Sequence, residues 1–514
     1  MTNRLAQPAT LNVARRHPRE SAANQGPPHF ARSCKSLSVS ATVIAVLALM
    51  LTTPLRAQAG GGGAAGAGAA AGASGPGAAA AGQGQAASAP GANAGQPGAQ
   101  NGAQTPEAYA ASIAISDPRQ PIASKPGALT LPQVLDAARV HNPTLIAAQR
   151  NLEAVRAQEI QAAVRTNPYF TLYGTDVTES ASADTPYNYS AQVSRLFERG
   201  NKREWRIENA KATTAQTAAQ LEDTIRQTNL AIKTAFTAML EAKASLQLTT
   251  SGLKEFQHEV DIAEERYKAG DLARIDFERL DLQIASFESA VSTDTVNLRQ
   301  ASDQLQTLMG VQAPSPGFDI AGEIVPPVLA QDQAQLVQAA LDKRPDFAAA
   351  RFAVDAATAN RKLAYANGTT DPTLEAEFDR SGSENSVGFS VNIPLRLFDR
   401  NLGNKKTATF QEDASRFTLT AAHNQVISDV DQAWINYTES KRLSDRYTTH
   451  YLDETKDVLT IAQYAFEHGG IALIDYLDAV RDTRTLDSAA LAAYQQTWLA
   501  IHQLSAASAT ELVP

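Results

Sequence analysis

Asp475 and Asp478 stand three residues apart, a few positions past Gly469, so on a helix their carboxylates share one face. Two acids so placed attract cations, and their mutual repulsion is relieved by a bound cation or by moving apart. The plain alternative is a solvated helix face, common in any coiled coil. Other chemistries fail on residue type. His258-Glu259 begins like a zinc-protease motif, but position 262 is Ile, so the second ligand is missing. His423, His450, His468 and His502 are scattered, with no pairing at i, i+4. No phosphate-cradling Gly-rich loop precedes a Lys-Ser or Lys-Thr pair. Past residue 59 only Met239 and Met309 remain, too few for a methionine relay of soft metals. The single Cys, Cys34, excludes a disulfide framework and a Cys-based metal site. A net charge of -9 argues against nucleic acid as a partner. No catalytic residue, cofactor or resident metal is expected, and the chain reads as a non-enzyme.

The elements that carry the two acids are written twice. Val134-Leu135-Asp136-Ala137-Ala138, followed by Asn142-Pro143-Thr144-Leu145, returns as Leu336-Val337-Gln338-Ala339-Ala340 and Arg344-Pro345-Asp346-Phe347. Asn167-Pro168 returns as Asp371-Pro372, and Arg195-Leu196-Phe197-Glu198-Arg199 as Arg396-Leu397-Phe398-Asp399-Arg400. Tyr267-x-x-Gly270-x-Leu272-Ala273-x-Ile275-Asp276-Phe277 returns as Phe466-x-x-Gly469-x-Ile471-Ala472-x-Ile474-Asp475-Tyr476. Four matches in one order, each about two hundred residues apart, mark a tandem duplication. The first copy covers 129–313, a Pro-rich connector 314–332, and the second copy 333–510. At the first-copy positions matching the acid pair stand Asp276 and Arg279, so only the second copy presents two acids.

Each copy predicts the same elements. A helix of about 30 residues (133–165 and 333–366) ends where Asn-Pro or Asp-Pro forces extended backbone. Two strands follow, 168–178 with 187–197 and 372–380 with 386–395. Ser386 to Ile393 alternates strictly between polar and apolar. A soluble sheet with one buried face would do this, and so would a tilted membrane strand of about ten residues. Then come long proline-free helices. Ile225, Ile232, Met239, Leu246, Leu253, Val260 and Tyr267 fall at seven-residue spacing, with Ala235, Ala242, Phe256 and Ala263 three positions on. The spacing in the second copy, through Val430, Tyr437, Tyr451 and Val458, is looser. A helix over 201–266 is on the order of 100 Å long at ~1.5 Å per residue. Gly270 and Gly469 would close the hairpins. Four strands are too few for a closed membrane barrel, and open edges are forbidden in lipid, so the strands must pair with those of other subunits.

The N-terminus reads as an export signal over 1–59. Arg4, Arg15, Arg16, Arg19, Arg32 and Lys35 precede an apolar run from Val39 to Leu51, a helix-breaking Pro54 and an Ala57-Gln58-Ala59 cleavage site. Residues 60–128 are read as a disordered tail, Gly/Ala-rich through about 106. Gly61, Gly63 and Gly66 match a dinucleotide-binding pattern by composition alone, since no strand precedes them. With 43% hydrophobic residues, a mean hydropathy of -0.26 and no apolar run near 20 past the signal, a helical membrane bundle is excluded.

The duplicated plan and the two tip motifs around Gly270 and Gly469 resemble the TolC family of outer-membrane efflux channels, over about 129–510. Arg199-Gly200-Asn201-Lys202-Arg203 and Ile393-Pro394-Leu395-Arg396-Leu397-Phe398-Asp399-Arg400-Asn401 resemble its CzcC-like heavy-metal branch. The resemblance implies a mainly α chain with membrane β, forming a homotrimer. Its twelve-stranded barrel would sit in outer-membrane lipid and continue as a twelve-helix periplasmic barrel. The implied partners are a periplasmic adaptor (membrane fusion) protein and an inner-membrane RND-type pump. Asp475 and Asp478 would gate the pore as two stacked rings of charge, and Gly270, Leu272, Gly469 and Ile471 would form the adaptor-docking tip. Lipid-anchored members of the family carry an N-terminal Cys at the cleavage site, and this chain departs from them there. The alternatives are a type I secretion duct, a periplasmic coiled-coil scaffold, or an exported hydrolase whose nucleophile is not in evidence.

Overall fold

The computed structural model describes residues 117–175 and 188–513. The expected signal segment with Cys34, the expected tail as far as residue 116, and the expected strand ends at 176–178 and 187 lie outside them. Helices α1 (Leu131–His141) and α2 (Pro143–Ala163) lead to strands β1 (Tyr169–Thr175) and β2 (Asn188–Leu196), then to α3 (Lys202–Ala269) and α4 (Arg274–Leu308). The plan repeats as α5 (Gln333–Lys343), α6 (Pro345–Ala366), β3 (Thr373–Ser381), β4 (Glu384–Asn392) and α7 (Leu402–Arg446). A π-helical turn (Tyr447–Tyr451), α8 (Leu452–Glu467) and α9 (Leu473–Ser508) complete it. No helix among the described residues is long and apolar enough to cross a membrane.

Three expectations are corrected. The single helix of about 30 residues expected in each copy is two helices, broken at Asn142-Pro143 and Arg344-Pro345. A residue before proline is driven to extended backbone, and proline then suits the first position of the next helix. Asn142 (ψ 120°) caps α2 by accepting from the Thr144 and Leu145 amides. Its counterpart Arg344 (ψ 122°) instead pairs with Asp346 at 2.6 Å and Asp429 at 2.9 Å.

The ordered chain also starts before Leu129. Residues 117–128, assigned to the tail by their lack of pattern, strap the hairpins. Arg119 pairs with Asp453 at 2.7 Å, the Ala123 amide donates to Gln247, and Ile122 packs on the core. Val458, placed inward by the seven-residue spacing, is 57% exposed, while Leu452 is buried. The π turn adds a residue to one turn of the helix and so shifts the inward face past it. Arg119 donates to the Thr448 carbonyl in that turn.

Three apolar clusters hold the helices together. Val134, Ile232, Met239, Leu305 and Tyr494 form one, and Leu336, Val430, Ile501 and Leu504 form its counterpart in the second copy. Phe256, Val260, Leu280, Phe287, Tyr476 and Val480 form the third, where the two hairpins meet near their tips. α3, with 68 residues, is about 100 Å long. The connector is packed as well: Leu129 bridges Ile320, and Lys243 pairs with Asp319 at 2.6 Å.

The four strands form one antiparallel sheet in the order β1-β2-β3-β4, and β2 pairs with β3 to join the two copies. The Gly382-Ser383 turn, with Ser381 opposite Glu384, sets the β3–β4 register. At the other end of the sheet, both long helices start from the same left-handed asparagine. Asn201 and Asn401 each have φ 58° and ψ 28°. Lys202, nearly buried, pairs with Asp371 at 2.6 Å and donates to the Thr369 carbonyl. The Asn401 amide side chain donates to the Ala364 carbonyl. The two arginine-asparagine phrases of the sequence are therefore the corners that turn strand into helix.

Candidate functional site

The sheet presents two chemically distinct faces. The register aligns Phe170 with Val193, Val193 with Ala376 and Ala376 with Phe389, and likewise Leu172, Ala191, Phe378 and Val387. These side chains make one apolar face, and no helix among the described residues covers it: Phe389 is 83% and Phe170 69% exposed. The opposite face aligns Thr171, Gln192, Glu377 and Gly388, with Ser190, Asp379 and Ser386 in the next row. Ser190 Oγ donates to Glu377 at 2.5 Å, and Gln192 and Ser390 donate to Glu375 at 3.1 and 2.8 Å. Glu375, Glu377 and Asp379 thus form an acidic file on the polar face. They escaped the reading of the sequence although their alternation with Leu374, Ala376 and Phe378 is visible there.

At the far end of the helices, Gly270 (φ 86°) and Gly469 (φ 71°) terminate α3 and follow α8 in the left-handed region, as the turns require. Each turn is closed by a stacked aromatic pair. Tyr267 and Phe277 lie 5.4 Å apart, and Phe466 and Tyr476 5.2 Å apart. Leu272 and Ile471 are half-buried, packed onto the tip cluster. The apolar groups that face outward are Ile275, 59% exposed, and Ile474, 55% exposed. Both belong to the repeated motif, where the following Asp drew the attention.

Asp475 sits in the first turn of α9, and Asp478 lies on the same helix. Asp478 pairs with Arg481 at 3.0 Å, a partner absent from the reading of the sequence. The first copy has its own weaker counterpart, Asp276 with Arg279 at 3.9 Å.

The hairpins also meet through polar groups that the sequence did not bring together. Gln463 of α8 donates to Glu259 of α3 at 2.5 Å, and Arg266 stands over the Phe466 ring at 5.6 Å. Burial and the neighbouring Glu467 push the Glu259 carboxyl up to about 7, against the weaker effects of Gln463 and His258. Burial likewise raises Asp487 to about 7 and raises the Tyr476 phenol. Among the described residues no three His, Cys, Asp or Glu side chains are placed to hold a metal.

A duplicated chain with a two-faced, open-edged sheet at one end and two long helical hairpins at the other belongs to the class of outer-membrane channels. Residues 134–311 and 336–510 match the outer membrane efflux protein family, and the chain belongs to that family. It is 26% identical over 359 residues to the cobalt-zinc-cadmium resistance protein CzcC of Cupriavidus metallidurans, covering 69% of this chain and 84% of that one. Its fold is similar to that of CusC, with a TM-score of 0.63 at 18% identity over 74% of this chain and 91% of the other. The open-state outer-membrane channel MtrE of Neisseria gonorrhoeae gives 0.61 at 19% identity, over 77% and 90%. The protein is therefore an outer-membrane efflux protein with a periplasmic helical part, in a family of channels and not of enzymes.

Proposed function

We propose that the chain is one third of a passive trimeric duct. Twelve strands close into an outer-membrane barrel, and the helices continue it as a twelve-helix tunnel toward a periplasmic adaptor and an inner-membrane RND-type pump. The observation that carries this reading is the four-stranded sheet with both edges, β1 and β4, unpaired and its apolar face bare. Such edges are not tolerated in lipid, so other copies must complete the barrel, and three copies give a commonly sized one. The apolar face then meets lipid, and Glu375, Glu377 and Asp379 line the water-filled interior.

Divalent metal cations are the proposed cargo, supported by that acidic file and by the likeness to CzcC. Asp475 and Asp478 form the gate, with Arg481 moderating the charge of Asp478. The adaptor docks on the turns at Gly270 and Gly469 and on Leu272 and Ile471, with Ile275 and Ile474 as the outward apolar contacts. The test is single-channel recording of the purified protein in planar bilayers. Joint Asp475→Ala and Asp478→Ala replacement raises conductance and weakens block by divalent cations. Unchanged conductance removes both residues from the gate. Heat-modifiable trimers in the outer-membrane fraction support the assembly, and a soluble periplasmic monomer overturns it.

A further inference from the structure

Between the two hairpins lies a cavity of about 1200 Å³, walled by α3, α4, α8 and α9. Its accessible apolar lining is Leu248, Ile262 and Leu459, laid over a buried core in which Phe256 and Phe287 stack 4.8 Å apart. Asp487 of α9 lines it and is only 8% exposed. Among the described residues its carboxylate makes neither a hydrogen bond nor an ion pair, which is costly for an acid so buried. The other cavity acids differ in this respect where their bonds are known. Asp294 accepts from Ser245 and Thr249, each at 3.0 Å, and Glu259 accepts from Gln463.

The surrounding charges come from every wall. α3 contributes Lys254, Glu255, His258 and Glu259, α4 Asp294, and α8 Glu467, while the strap brings Asp117 and Arg119, themselves paired at 2.7 Å, to act on Asp487. From α9, Arg481 is paired with Asp478, and Arg484 lies 4.0 Å above the Phe287 ring and donates to Ser286. Asp487 is nine residues from Asp478, or two and a half turns, so it faces the opposite side of α9 from the gate acid. It belongs to a separate site.

We propose that this cavity binds an amphiphilic organic cation, a single ammonium or iminium group on an apolar body, with Asp487 as counter-ion and the accessible side chains of Leu248, Ile262 and Leu459 as its apolar seat. A multidentate metal is disfavoured because no three ligating groups converge among the described residues. A small hydrated cation leaves the apolar lining uncovered, and an anion meets five acids. Arg484 already covers the Phe287 ring, so the incoming cation is held by Asp487 and not by that aromatic face. Burial, with Asp117 and Glu255 adding to it against Arg119, raises the Asp487 carboxyl to about 7, and a bound cation favours its ionised form. The site stands independently of the duct reading.

The test is fluorescence titration of the full-length protein, in a neutral detergent, with ethidium as probe. Saturable binding is expected, about tenfold tighter at pH 8 than at pH 6, because a carboxyl titrating near 7 goes from about one-tenth to nine-tenths ionised. Asp487→Asn weakens binding at pH 8 at least tenfold and flattens the pH profile. Ser488→Trp, an exposed position at the rim, blocks binding without touching the core. Glu259, raised to about 7 in the same cavity, is separated by Glu259→Gln, which keeps the pH dependence of binding, and the profile of that variant decides the matter should Asp487→Asn fail to fold. Equal binding at both pH values, equal binding of neutral phenanthridine, or Asp487→Asn of unchanged affinity overturns the proposal.

Discussion

Glu259→Gln isolates the electrostatics of the contact between the hairpins. Glu259 lies in that contact, bonded to Gln463 and close to Glu467, and its carboxyl is pushed from an ordinary 4.5 to about 7. Holding the charged form there is disfavoured by about 3 kcal/mol at 1.36 kcal/mol per pH unit, and residual solvent contact reduces this to about 1–3 kcal/mol. The sign follows from proton counts. Between pH 4.5 and 7 the folded state keeps a proton that the unfolded chain has released, so stability falls as pH rises through that window. Below pH 4.5 both states are protonated and the cost vanishes. Asp487, raised to about 7 by burial, acts in the same direction. Gln keeps the neutral shape and a hydrogen-bonding carbonyl toward Gln463. The variant should therefore match the unaltered protein at pH 5 and exceed it by about 1–3 kcal/mol at pH 8. The loss should be local, so hydrogen exchange over residues 459–467 at pH 5, 6, 7 and 8 reads it directly, with thermal unfolding as a second measure. Equal protection of the two proteins at pH 8, or a native protein more protected at pH 8 than at pH 5, refutes the reasoning.

Lys202→Met should lower stability by about 3 kcal/mol in denaturant titrations, because it leaves Asp371 at the strand-to-helix corner without its buried cation. Gly469→Trp should leave assembly intact but abolish export. The added Cβ meets nothing within 4 Å, and the left-handed backbone costs only about 1–2 kcal/mol, so what changes is the tip surface. Persisting export would detach the turn from docking. Phe389→Arg, on the bare apolar face midway along the edge strand β4, should cost about 2–4 kcal/mol of membrane insertion, read by refolding into liposomes. An unchanged yield would mean that this face does not meet lipid.

The hairpins were the most readable part of the chain because their signals are local. Seven-residue spacing through Ile232, Met239 and Val260 put those three side chains in the core, and Gly270 and Gly469 turned where positive φ was needed. Asn142-Pro143 was equally local but was taken as part of one helix, although the extended residue before proline is what breaks it. The strap at 117–128 has no periodicity, since it is held by single contacts such as Arg119 with Asp453. At the tips, the motif drew attention to Leu272 and Ile471, which pack inward, while Ile275 and Ile474 face out. Helical phase past a turn depends on where the next helix starts, and composition does not reveal that.

The alternation of the strands and the seven-residue spacing of the hairpins were determined by the sequence itself, because each depends on residues within a few positions of one another, and the duplication because the same local phrases recur in one order. Pairing of β2 with β3, which joins the two copies and aligns Val193 with Ala376, was decided only in three dimensions. So was the fate of individual charges. In the sequence Glu259 reads as half of an incomplete zinc motif, and nothing singles out Asp487. Their burial comes from packing against the opposite hairpin, some two hundred residues away along the chain. Desolvation depends on what surrounds a group in space, and for these two acids that surrounding is built by both copies at once.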